Sequence, residues 1–103
     1  MKMATEDEAA AAERERAATL ARALAEAARA AAAHDAARVR EVCVLLMEGL
    51  DFTANDVAPG LLRLYDYCIT ASDRGEFAVA GRILGELAAA WDERAKSAAG
   101  SAS

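Results

Sequence analysis

The chain has 103 residues, enough for one domain around a single core, but 30 of them are alanine, so the 55 % hydrophobic content overstates the surface it can bury. A net charge of −5 excludes the basic stripe that nucleic-acid binding needs, and the longest bulky apolar run, residues 42–47, is too short to span a bilayer. Glu6, Asp7 and Glu8 stand where an export signal would be basic and then apolar, so the expected location is the cytoplasm.

Glycine is scarce, Pro59 is the single proline and β-branched residues are few, so local preference favours helix nearly throughout. Thr5 and Glu8 form a capping-box pattern, after which alanine, glutamate and arginine with Leu20 and Leu24 predict helix one as far as Ala33. His34-Asp35 is the next point unfavourable to helix, and Asp35 suits the N-cap of helix two. Val39, Val42, Leu46 and Leu50 share one face of that helix, which ends near Asp51. Phe52-Thr53-Ala54-Asn55 reads as a loop, with Asn55 or Asp56 as N-cap and Pro59 in the first turn of helix three, where its missing N–H costs little. Val57, Leu61, Leu64 and Cys68 supply a seam for helix three, and Ser72-Asp73-Arg74-Gly75 closes it, with Asp73 and Glu76 as a second capping-box-like pair. Phe77, Ala80, Leu84, Leu87 and Trp91 carry the seam of helix four, expected to fade after Lys96 into a disordered tail over residues 97–103.

Four amphipathic helices joined by short turns bury their seams only against one another, which predicts an all-α, antiparallel up-and-down four-helix bundle over residues 16–96. Counting outward from the turns places Cys43 beside Cys68, Leu64 beside Leu84, and Trp91 beside the start of helix three. Residues 1–15 have no helix-two residue opposite them and are expected to overhang or fray.

Catalysis and metal binding find little support in the residue pattern. His34 is the only histidine, and no Glu-x-x-His motif accompanies it, so a di-iron bundle site lacks ligands. Cys43 and Cys68 sit on seams a turn or more from His34, which makes them structural thiols, kept reduced in the cytoplasm, rather than nucleophiles. The carboxylates alternate with arginines, as in Arg22, Glu26 and Arg29, in the manner of solvated helix faces. No catalytic residue, metal or cofactor is therefore expected. Val44, Met47, Leu62, Ile69, Val79 and Ile83 are apolar yet lie off the seams. Singly, each thickens a thin core; as a set, they suggest a groove that accepts an amphipathic helix from a partner.

The run Gly60-Leu61-Leu62-Arg63-Leu64-Tyr65-Asp66-Tyr67 resembles the LYDY signature of the flagellar export chaperone family (FliS). Leu50-Asp51 is similar to the Leu-Asp that closes the family's helix two, and the stretch from Gly85 to Glu93, with Leu87, Trp91 and Glu93, resembles its closing motif. The likeness covers roughly Asp35 to Lys96. It departs at helix one, which is alanine-rich and lacks the tyrosine-bearing arm, and in helix two and the hairpin of helices three and four, each shorter than the family pattern towards the same end. The resemblance implies a cytosolic bundle, monomeric or weakly dimeric, that holds the disordered C-terminal segment of flagellin as docked helices and hands it to the flagellar export gate without ATP. Tyr65 of the signature then joins Val44, Met47, Leu62, Ile69, Val79 and Ile83 as the candidate partner-binding set. The competing expectation is a structural interaction module that self-associates through the alanine-rich face of helix one, where small residues permit close approach.

Overall fold

The computed structural model describes residues 6–53 and 57–100, the last three in backbone only. Those residues form four α-helices, α1 (Glu6–Ala32), α2 (Ala36–Glu48), α3 (Ala58–Asp73) and α4 (Phe77–Gly100), and no strand. Each helix packs against its neighbours in the chain, and α1 packs against α4, which closes the ring of an up-and-down bundle. None of the described helices is long and apolar enough to cross a membrane.

Two of the connections are short because each is built as a Schellman turn. After α1, the Asp35 N–H reaches back to the Ala30 carbonyl at 2.9 Å and the His34 N–H to that of Ala31 at 3.0 Å, with His34 in the left-handed region at φ 57°. After α3, the Glu76 N–H meets the Ala71 carbonyl at 2.8 Å and the Gly75 N–H that of Ser72 at 3.0 Å, with Gly75 at φ 79°. Asp35 serves both sides of its turn, since its carboxylate also accepts the Arg38 N–H at 3.0 Å and so caps α2. Arg38 pairs with Glu26 across α1 and α2, and Arg40 with Asp73 across α2 and α3. Both turns lie at one end of the molecule, the closed end.

The core runs through Leu24 on α1, Val39, Val42, Cys43 and Leu46 on α2, Tyr65, Cys68 and Ile69 on α3, and Ala80 and Leu84 on α4. Alanine does for α1 what leucine does elsewhere. Ala17, Ala21, Ala27, Ala30 and Ala31 are buried, and the small side chains let α4 come so close that a methyl group on Gly81 would stand 3.6 Å from the Ala31 Cβ. The alanine face that suggested self-association is thus largely occupied by α4 of the same chain.

Four sequence expectations are corrected. The segment before Arg16 overhangs α2 as expected but does not fray: it is helical from Glu6 and lies along α4, which continues to Gly100 rather than fading after Lys96; Arg94 faces Glu13 at 3.7 Å in this extension. Helix three turns a different face inward: Tyr65 is 1 % exposed and Leu64 is 37 % exposed, while Val57 is also exposed. Ala58, Leu61, Tyr65, Cys68 and Ser72 repeat the same three-four spacing as the expected seam, and that phase buries the larger aromatic body. Asp73 is the last residue of α3 and takes Arg40, so it does not cap α4. The Thr5 cap, the Asn55 or Asp56 cap and the end of the tail lie outside the described residues.

Candidate functional site

Helix lengths create the main concavity. α1 and α4 have 27 and 24 residues, α2 and α3 only 13 and 16, and all four are level at the closed end, where α1 and α3 finish and α2 and α4 begin. At about 1.5 Å per residue, the long pair therefore outruns the short pair by roughly 10–20 Å. Where α2 and α3 stop, a cleft of about 580 Å³ opens against the continuing α1 and α4.

Its floor is the end of the core: Leu50 from the end of α2 and Leu61 from the start of α3, both partly buried, over the buried Leu46, Ala58 and Tyr65. Leu20 forms one wall and Trp91 the other, and both are only partly buried. The lips are charged. Glu13 and Arg16 stand on α1, Arg94 on α4 and Asp51 on the connection after α2. The Arg94 guanidinium lies over the Trp91 ring, 5.2 Å from its centroid, which holds the indole against the wall. Asp51 is engaged by its own turn, accepting the Thr53 N–H at 3.0 Å and the Thr53 hydroxyl at 2.6 Å.

Beneath this floor Tyr65, Cys43 and Cys68 form one buried group. Burial pushes the Cys43 thiol up to about 12, with Cys68 adding to the shift, and the Cys68 thiol up to about 11. Burial also raises the Tyr65 phenol, with both thiols contributing. Both cysteines are free, and in this environment they are protonated, poorly nucleophilic thiols near neutral pH. His34 sits at the closed end, stacked on Phe77. No group of three or more His, Cys, Asp or Glu residues able to hold a metal ion converges among the described residues.

The seven residues singled out from sequence do not form one groove. Arg40 and Asp73 mark the α2–α3 edge, and helical spacing puts Val44 and Met47 on that side of α2, and Leu62 and Ile69 on that side of α3. Val79 and Ile83 belong to α4, across α3 from α2. Tyr65 and Ile69, at 1 % and 7 % exposed, are core residues and present no docking surface, because α3 turns them towards α2 and the bundle centre. Met47 and Ile83 are half-buried and pack on the core; of the set, only Val44 is exposed. The cleft was signalled in the sequence by two features not joined there, a helix one that outlasts the bundle and a tryptophan level with the start of helix three.

Comparison with protein-family models, with curated proteins and with solved structures finds no match to the chain.

Proposed function

We propose that the chain is a cytosolic export chaperone that captures the C-terminal segment of flagellin as a docked helix, keeps it from polymerising and presents it to the flagellar export apparatus. One observation carries the reading: Leu61, just ahead of the LYDY run, and Trp91 of the closing motif, far apart in sequence and both only partly buried, line the same cleft. Leu61 and Trp91, which both belong to stretches that carry the resemblance, are therefore placed to meet a client. An open notch in a four-helix bundle is also what an amphipathic helix fits, since it replaces the missing packing partner of α1 and α4 and covers an apolar floor. The titratable groups at the cleft are lip charges and a phenol whose burial keeps it protonated, a set suited to binding rather than proton transfer.

A client disordered in solution gains helix only while docked, so affinity stays moderate and release needs no chemistry within the chaperone. Calorimetric titration with a peptide of the C-terminal segment of a flagellin from the same cell tests this. Saturable binding with a negative heat-capacity change and a gain of peptide helicity is expected. Absence of binding at about 100 µM of both components, where even a Kd of that order shows, would contradict it.

A further inference from the structure

Among the described residues the exposed large apolar side chains are Val44, Leu45, Phe52, Val57, Leu64 and Tyr67. All of them belong to α2, α3 or the connection between those helices, and none to α1 or α4. The short hairpin therefore carries an apolar outer face that the long pair lacks. On α2 that face includes Val44 and Glu48, and on α3 it includes Arg63 and Tyr67; each pair is four residues apart, on the side of its helix away from the buried core.

Register adds charge to this face. Cys43 and Cys68 share one buried group, and Leu50 and Leu61 share the cleft floor. In an antiparallel pair the same count sets Val44 level with Tyr67 and Glu48 level with Arg63. A second copy turned face to face about a two-fold axis parallel to the helices lays α2 on the partner's α3, so level residues meet. Val44 then packs on the partner's Tyr67 and Glu48 reaches the partner's Arg63, each contact being made twice. A two-fold axis across the helices lays α2 on the partner's α2 instead and sets Glu41 against the partner's Glu48, two like charges. Among the described residues neither Glu48 nor Arg63 has an ion pair within its own chain.

From this self-complementarity we propose that the outer face of α2 and α3 is a homodimer interface, with Val44 and Tyr67 at its centre and reciprocal Glu48–Arg63 pairs towards the open end. α3 has 16 residues, so the face is about 24 Å long and, across two helices, about 20 Å wide. Two such faces bury on the order of 1,000 Å² together, the lower limit of a specific interface, so the dimer dissociates at micromolar concentration. It leaves the client cleft open, because the walls Leu20 and Trp91 stand on α1 and α4. The proposal is thus independent of the chaperone reading.

Sedimentation of the full chain from about 5 to 500 µM should show a single monomer–dimer equilibrium. Tyr67→Asp should weaken it at least tenfold, with far-ultraviolet circular dichroism unchanged. Glu48→Arg and Arg63→Glu give the sharper test. Alone, each variant sets like charges together at both contacts and should dimerise at least tenfold more weakly. Mixed in equal amounts, the two variants pair opposite charges at both contacts and should dimerise again, less so at high salt. A chain that stays monomeric across the whole range overturns the proposal. A dimer that survives Tyr67→Asp, or charge variants that associate no better mixed than alone, overturns it as well, because the copies would then meet through another face.

Discussion

His34 and Phe77 lie face to face, their ring centroids 4.7 Å apart and their planes inclined by only 7°. The imidazole belongs to the turn between α1 and α2, the phenyl to the first residue of α4, so this stack joins the two Schellman turns that close the bundle. His34 holds φ 57° to make it. A left-handed backbone costs a non-glycine residue roughly 1–2 kcal/mol, and an aromatic stack returns about 0.5–1.5 kcal/mol. His34→Ala keeps the backbone cost and loses the stack, so it should destabilise by about 1 kcal/mol; His34→Gly loses both and should be close to neutral. Urea unfolding of the two variants checks the order, and an alanine variant as stable as the glycine one would contradict it.

Gly75 and Gly85 form a matched pair, since a methyl group at either would meet nothing within 4 Å. They differ in backbone: Gly75 is at φ 79°, whereas Gly85 lies inside α4. Gly75→Ala should therefore destabilise by about 1–2 kcal/mol, and Gly85→Ala should stabilise by roughly 0.5–1 kcal/mol. Thermal melts shifting in opposite directions are the expected result.

The phase of α3 gives a sharper contrast. Ile69→Asp buries a carboxylate in the core and should cost about 3 kcal/mol or more, enough to unfold a domain so rich in alanine. Leu64→Asp falls on a surface position and should cost less than about 1 kcal/mol. Far-ultraviolet circular dichroism separates them. The reverse order would mean that α3 presents the seam its Val57-Leu61-Leu64-Cys68 spacing suggested.

That ambiguity shows where the sequence was legible. Four helices, the Asp35 cap and the turns around His34 and Gly75 could be read because each rests on local chemistry: helix propensity, a side-chain acceptor, or residues suited to ending a helix. The face of α3 could not, because Leu64 and Tyr65 both satisfy a three-four repeat and only the packing of α3 between α2 and α4 chooses between them. The extension of α1 along α4 was hidden for a related reason: its contacts are made by alanines, which carry no mark of burial in a chain with 30 of them. The off-seam residues misled because a wide apolar stripe on α3 serves two neighbours, α2 and α4, rather than one groove.

Alkaline pH should weaken the fold. The unfolded chain releases its thiol protons near pH 9, whereas burial holds the Cys43 and Cys68 protons to about 12 and 11, so the folded state binds more protons across that window. Stability is then complete below pH 9 and falls as pH rises, by up to roughly 1.4 kcal/mol per pH unit for each thiol. The raised Tyr65 phenol acts in the same direction at the upper end. Urea midpoints measured from neutral pH to about 10.5 should be level and then decline. A Cys43→Ala/Cys68→Ala variant, less stable at every pH, should show a shallower decline; an unchanged slope would place the effect elsewhere.

The most direct test of the cleft as the client site uses Trp91, the one tryptophan of the chain and one wall of that cleft. Titration with a tryptophan-free peptide of the flagellin C-terminal segment should shift Trp91 emission to shorter wavelength as the indole leaves water, with the same midpoint as the calorimetric curve. Leu50→Asp, at the floor, should weaken both signals by at least tenfold without loss of helix, the loss of one docked apolar side chain being worth about 1.5–3 kcal/mol. Saturable calorimetric binding with Trp91 emission unmoved and Leu50→Asp at full affinity would contradict the account, because the client would then be held on another face of the bundle.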